Sequence, residues 1–126
     1  MEYPMLKSLL ADIVAQDEVY GAAIIDQSGF AIEANPQGPG LEKMAANVTM
    51  LLIETKRLNA QNSQTETEAK QDENQATLTL LAERGNILLF PLANNCNLLI
   101  HTSQGTNLGK IRNHAQKLSP RISALL

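Results

Sequence analysis

Apolar and polar residues along this chain follow two periods, and the switches between them mark out eight elements. From Pro4 onward Met5, Leu6, Leu9, Leu10, Ile13 and Val14 recur at helical spacing and predict an amphipathic first helix, with Lys7, Ser8, Asp12 and Gln16 turned away. Pro4 suits a first turn, where its missing N–H would be unpaired in any case. Val19 to Ile25 is nearly continuous in apolar residues, as a strand covered on both faces is. Gln27-Ser28-Gly29 predicts a tight turn with Gly29 at positive φ, and a second strand returns to Ala34. Asn35-Pro36-Gln37-Gly38-Pro39-Gly40 can continue neither strand nor helix.

A second helix is predicted from about Leu41 to about Ala60, and it carries two apolar stripes. Leu41, Ala45, Val48 and Leu52 lie together, flanked by Met44, Leu51 and Leu58. Ala46, Met50 and Ile53 point the opposite way. One stripe is enough to cover a sheet face. The run Met50-Leu51-Leu52-Ile53, apolar around the whole circumference, predicts that this helix also meets another chain.

Asn62 to Gln75 is polar and acidic, with Glu66, Glu68, Asp72 and Glu73, and reads as a surface link. Ala76 to Glu83 alternates as a third strand. Arg84-Gly85-Asn86 is the expected turn into Ile87–Leu92, where Pro91 must fall at the strand's end because it lacks a ladder donor. Asn97 to Thr102 is the last strand. Asn107 is a candidate N-cap for a final helix with Leu108, Ile111, Ala115 and Leu118 inward, Lys110, Arg112, Lys117 and Arg121 outward, and a stop at Ser119-Pro120. The order α-β-β-α-β-β-β-α predicts an α+β fold, a five-stranded antiparallel sheet sandwiched by helices, in one domain over residues 1–126.

Composition removes several function classes. A net charge of −3 with two Tyr, two Phe and no Trp gives neither the basic field nor the stacking surface of a nucleic-acid binder. No apolar run is long enough to insert in a membrane, and the first residues lack the basic start of a secretory signal. One cysteine, Cys96, rules out an internal disulfide framework and fits a reduced cytoplasmic setting.

Candidate chemistry is thin. His101 and His114 have no cysteine or carboxylate cluster at metal-ligand spacing, and Cys96 has no neighbouring His to activate it. Ser28 lacks a nucleophile elbow and an assignable base. Gly38-Pro39-Gly40 precedes a helix without the lysine of a phosphate loop. No catalytic, cofactor or metal residue is expected, and no enzymatic activity.

Val19-Tyr20-Gly21-Ala22-Ala23-Ile24-Ile25-Asp26-Gln27-Ser28-Gly29 resembles the opening strand and Asp-x-x-Gly turn of the Roadblock/dynein light chain family, including its bacterial MglB-like members. The span from Gly85-Asn86-Ile87-Leu88-Leu89-Phe90-Pro91-Leu92 to Asn107-Leu108-Gly109-Lys110-Ile111-Arg112 is similar to a second family region. The likeness covers nearly the whole chain, and the acidic link Asn62–Gln75 is its main departure. It implies a homodimer in which third strands pair edge to edge and second helices lie side by side, with Leu51, Leu58, Leu78 and Leu80 at the interface. It also implies a non-enzymatic scaffold or regulator of a small Ras-like GTPase, some family members stimulating GTP hydrolysis. Ala46, Met50, Ile53 and Arg57 are then the expected partner-binding platform, although the same stripe also suits the dimer seam. Arg57 and Arg84 are both conceivable fingers toward a GTPase site. The alternative is a small ligand-binding sensor or adaptor module with a pocket between helix and sheet.

Overall fold

A computed structural model describes residues 3–61, 78–82 and 85–126. Helix α1 (Tyr3–Val14) leads into strands β1 (Val19–Ile25) and β2 (Ala31–Asn35), then helix α2 (Pro39–Gln61). Strands β3 (Leu78–Ala82), β4 (Gly85–Pro91) and β5 (Asn97–Thr102) follow, and helix α3 (Leu108–Ser123) ends the described chain's regular elements. The strands form one antiparallel sheet in the order β2-β1-β5-β4-β3. β1 is thus interior, which explains its near-continuous apolar run, and β2 and β3 are the edges.

Helices flank both faces. On one, α1 contributes Leu6, Leu9, Leu10 and Ile13 while α3 contributes Ile111, Ala115, Leu118 and Ile122. They close over Ile24, Leu88, Leu98 and Ile100. On the other, Leu41, Ala45, Val48 and Leu52 of α2 cover Ala23, Ile25, Leu89 and Leu99. Leu41, Ala45, Val48 and Leu52 are therefore the inward stripe that the helical period predicts.

Several local expectations are corrected. Met5 is exposed rather than part of the α1 stripe. It lies about 90° from the centre of that stripe at ~100° per residue, and Val14, at the opposite flank, is only half-buried. Gly85 and Asn86 belong to β4 and not to a turn, pairing with Ala82 and Leu81. Gly85 has φ +132°, and a Cβ there would run into the Thr102 carbonyl oxygen. Leu92 falls outside β4, which ends at Pro91. Helix α3 does not stop at Pro120 but runs to Ser123. The missing donor is a single lost bond, and fully buried Ile122 with partly buried Leu125 and Leu126 holds the chain against the core beyond it. Asn107 does cap α3, its Oδ1 accepting from the Lys110 N–H at 3.1 Å.

The acidic link 62–75, the outer residues Ala76, Thr77 and Glu83 of the expected third strand, and Arg84 lie outside the described residues.

Candidate functional site

The outward side of α2 is built by the same periodicity that builds its inward side. Ala46, Met50, Ile53 and Arg57 fall within an arc of about 60° on a helix turning ~100° per residue, roughly opposite the buried stripe. All four are exposed, Met50 by 70% and Ile53 by 57%. Leu51, 48% exposed, sits at the flank between the outward stripe and the sheet. Arg57 forms an ion pair with Glu54 one turn back. Both side chains are more than half exposed, so this pair orients the guanidinium and adds little stability. The side chains of Leu58, Leu78 and Leu80 fall outside the described part. The backbone of β3 places Leu78 opposite Leu89 and Leu80 opposite Ile87.

The β1–β2 turn rests directly on α2. Asp26 shapes it, with its Oδ1 accepting from the Ser28 N–H at 2.9 Å and the Phe30 N–H at 3.0 Å. The Gly29 N–H donates to the Asp26 carbonyl at 3.0 Å, closing a β-turn, and the Ser28 bond to Oδ1 makes the Asx turn within it. Gly29 takes φ +94°, and a Cβ on it would stand 3.1 Å from the Thr49 Oγ1 and 3.4 Å from the Ala46 Cα. Phe30, the next residue, is 72% exposed. Sequence reading did not single it out. The available signal was a large aromatic closing a polar turn, with no apolar neighbour in register to bury it.

A groove of about 500 Å³, open to solvent along one side, lies where α2 passes the end of the sheet. The turn supplies Asp26 and Ser28, α2 supplies Thr49, Leu52 and Ile53, and the β4–β5 connection supplies Leu92, Asn95 and Cys96 between the strand ends at Pro91 and Asn97. That connection turns sharply because Asn94 and Asn95 both adopt left-handed backbone, at φ 59° and 60°, which asparagine tolerates. Cys96 is buried at its base. Burial, helped by the negative charge of Asp26, pushes the Cys96 thiol above its ordinary pKa, so it is held as an unreactive thiol.

The histidines do not converge on either feature. His101 packs edge-on against Tyr20 with ring centroids 5.1 Å apart, and His114 lies half-buried on α3. Among the described residues no cluster of His, Cys, Asp or Glu is arranged to hold a metal ion. None of the described helices is long and apolar enough to cross a membrane.

The likeness of this chain to known proteins is one of shape. The gliding protein MglB of Thermus thermophilus superimposes with a TM-score of 0.77 at 20% identity, over 98% of this chain and 89% of that one. The chain has a Roadblock-like fold of the MglB type. An MglB structure with a tetrameric arrangement matches at TM-score 0.77 and 17% identity, over 98% of this chain and 88% of that one. A Roadblock/LC7 domain from Streptomyces avermitilis matches at TM-score 0.77 and 11% identity, over 94% of each chain. No protein-family model matches the sequence. No curated protein matches it. At these identities the Roadblock likeness is one of fold, and on that fold α2 carries three of the exposed large apolar side chains among the described residues, Met50, Leu51 and Ile53.

Proposed function

We propose that this protein is a non-enzymatic, cytoplasmic scaffold or regulator that self-associates and binds a small Ras-like GTPase. The observation that carries the reading is the outward stripe of α2. A helix already committed to its own sheet through Leu41, Ala45, Val48 and Leu52 leaves Met50 and Ile53 mostly exposed, and contiguous exposed apolar surface marks interaction sites.

Self-association is supported by the unequal sheet edges. β2 is blunted by a register irregularity at Ile24/Ile25, by the buried Glu33 and by Pro36 just beyond its end. β3 reads Leu-Thr-Leu-Leu-Ala, pairs with β4 without a register shift, and carries no charge or proline. An edge of that kind invites another strand. In this reading Leu78 and Leu80 on β3, with Leu51 and Leu58 on α2, form the dimer seam, and Ala46, Met50, Ile53 and Arg57 present the platform. The tetrameric arrangement of one MglB neighbour is consistent with a chain of this fold assembling with itself.

The test is the double substitution Met50→Glu with Ile53→Glu. The variant is expected to remain dimeric by light scattering. It is also expected to lose co-elution with GTP-loaded small GTPases of the source organism and any stimulation of their GTP hydrolysis. A monomeric variant would place the stripe in the seam instead. Unchanged binding would remove it from the function altogether.

The groove beside α2 favours a second reading, a small ligand-binding sensor module. Its volume lies within the range of ligand sites, but its open side and polar rim are unlike the enclosed apolar pockets that bury most of a small molecule.

A further inference from the structure

Among the described residues that line it, the groove at the end of the sheet has a charge and no counter-charge. Asp26 is the only ionisable carboxylate among the described residues lining it, and none of those residues is basic. The Oδ1 atom of Asp26 is occupied by the Ser28 and Phe30 N–H groups; Oδ2 takes part in neither bond. The charge reaches the groove base, since it is one of the two causes that raise the Cys96 thiol. Leu52, Pro91 and Leu92 give its lining an apolar part, and Gln27, Asn95 and Asn97 are amide-bearing residues of the same lining.

We propose that this groove is a docking site for a short extended segment of a partner protein that carries an arginine or lysine. Aliphatic stems of such side chains lie along apolar walls while their charged heads seek a carboxylate. Side-chain amides both donate and accept, which is what an extended peptide backbone requires. An open groove admits a chain passing through, whereas an enclosed pocket would admit only a detached molecule. The chain's own link between α2 and β3 is a poorer occupant, because its one base, Lys70, sits among Glu66, Glu68, Asp72 and Glu73, which would meet Asp26 with like charge. The site is separate from the GTPase platform, sharing only Ile53 with it.

The experiment uses the full chain, ¹⁵N-labelled, titrated with the capped peptide Ala-Ala-Arg-Ala-Ala. Parallel arms use the same peptide with citrulline for arginine, and free agmatine. Shift changes are expected to cluster at Ser28, Thr49, Cys96 and Asn97 for the arginine peptide. Binding should weaken about tenfold with citrulline, as loss of one charge-assisted hydrogen bond implies. Asp26→Asn is the discriminating variant, because asparagine keeps the same acceptor for the turn and removes only the charge. It should weaken binding to the same degree, and adding Asn97→Asp to it should restore part of the loss by returning a carboxylate to the groove. Shifts scattered over the surface, equal binding by citrulline, or an Asp26→Asn chain that binds as well as the original would overturn the proposal. Agmatine binding as tightly as the peptide would overturn the peptide assignment. Loss of GTPase binding in a Met50→Glu chain, Met50 lying outside the groove lining, with peptide binding retained would show the two sites failing independently.

Discussion

The two faces of the sheet are finished to different degrees. On the α1/α3 face two helices close over the strands, and sixteen buried residues form one cluster among those described. On the α2 face one helix does the work, and the corresponding cluster has eight, with Met44 and Ile87 only half-buried at its border. Simple dimensions explain the difference. Five strands at about 4.8 Å spacing span roughly 19 Å between outer strands, and a packed helix covers about 10 Å. Two helices fill that width and one does not. α2 lies chiefly over β1 and β2, so the part of its face nearer β4 and β3 has no second helix among the described residues. One face is closed within the chain, and the other is only partly covered among the described residues.

This contrast can be broken or sharpened by substitution. Leu10→Ala, at a fully buried α1 position, is expected to cost about 3 kcal/mol in urea unfolding, equally at low and high protein concentration. A concentration-dependent loss would mean that the α1/α3 face is not complete within one chain. Gly85→Ala should cost about 2 kcal/mol, because it combines a φ of +132° with a collision at the Thr102 carbonyl. If β3 pairs between copies, that variant should also dissociate on dilution more readily than Leu10→Ala does. Asn107→Ala removes the α3 cap and should cost about 1 kcal/mol in thermal or urea unfolding, again without concentration dependence.

Met50→Ser should change the stability of the isolated chain by no more than about 0.5 kcal/mol, since the side chain is already exposed. A larger loss in dilute solution would show that the outward stripe is part of the fold. The smallest effect is on the alkaline limb. The Cys96 thiol is raised in the folded state, so its contribution is complete below the unfolded-state pKa near 9.0 and is lost as pH rises through the folded value. Cys96→Ala should flatten that limb in a urea titration series, and an unchanged limb would assign the dependence to other groups.

Much of the α2 face was legible because a helix writes both its faces into one period. Leu41, Ala45, Val48 and Leu52 separate from Ala46, Met50 and Ile53 by angle alone. Strand order was legible where a strand's composition reported its neighbours, as in the apolar β1. The groove was not, because residues near positions 26, 49, 91 and 97 converge only through tertiary packing. Pro120 misled because a local rule about helix breaking was outweighed by the burial of Ile122. Gly85 misled because a glycine chosen for lack of space beside Thr102 looks, in sequence, like one chosen to turn.

Gly29 has a consequence for how this surface tolerates change. It is the point at which the hairpin meets α2, with φ +94° and a would-be Cβ only 3.1 Å from the Thr49 Oγ1. Its two predecessors, Gln27 and Ser28, are exposed at the groove's rim. A chain built this way can exchange the groove's lip residue by residue while the helix keeps its height and tilt. Recognition at the rim and the posture of the helix are therefore separately adjustable, and a single glycine is the hinge pin that keeps them so.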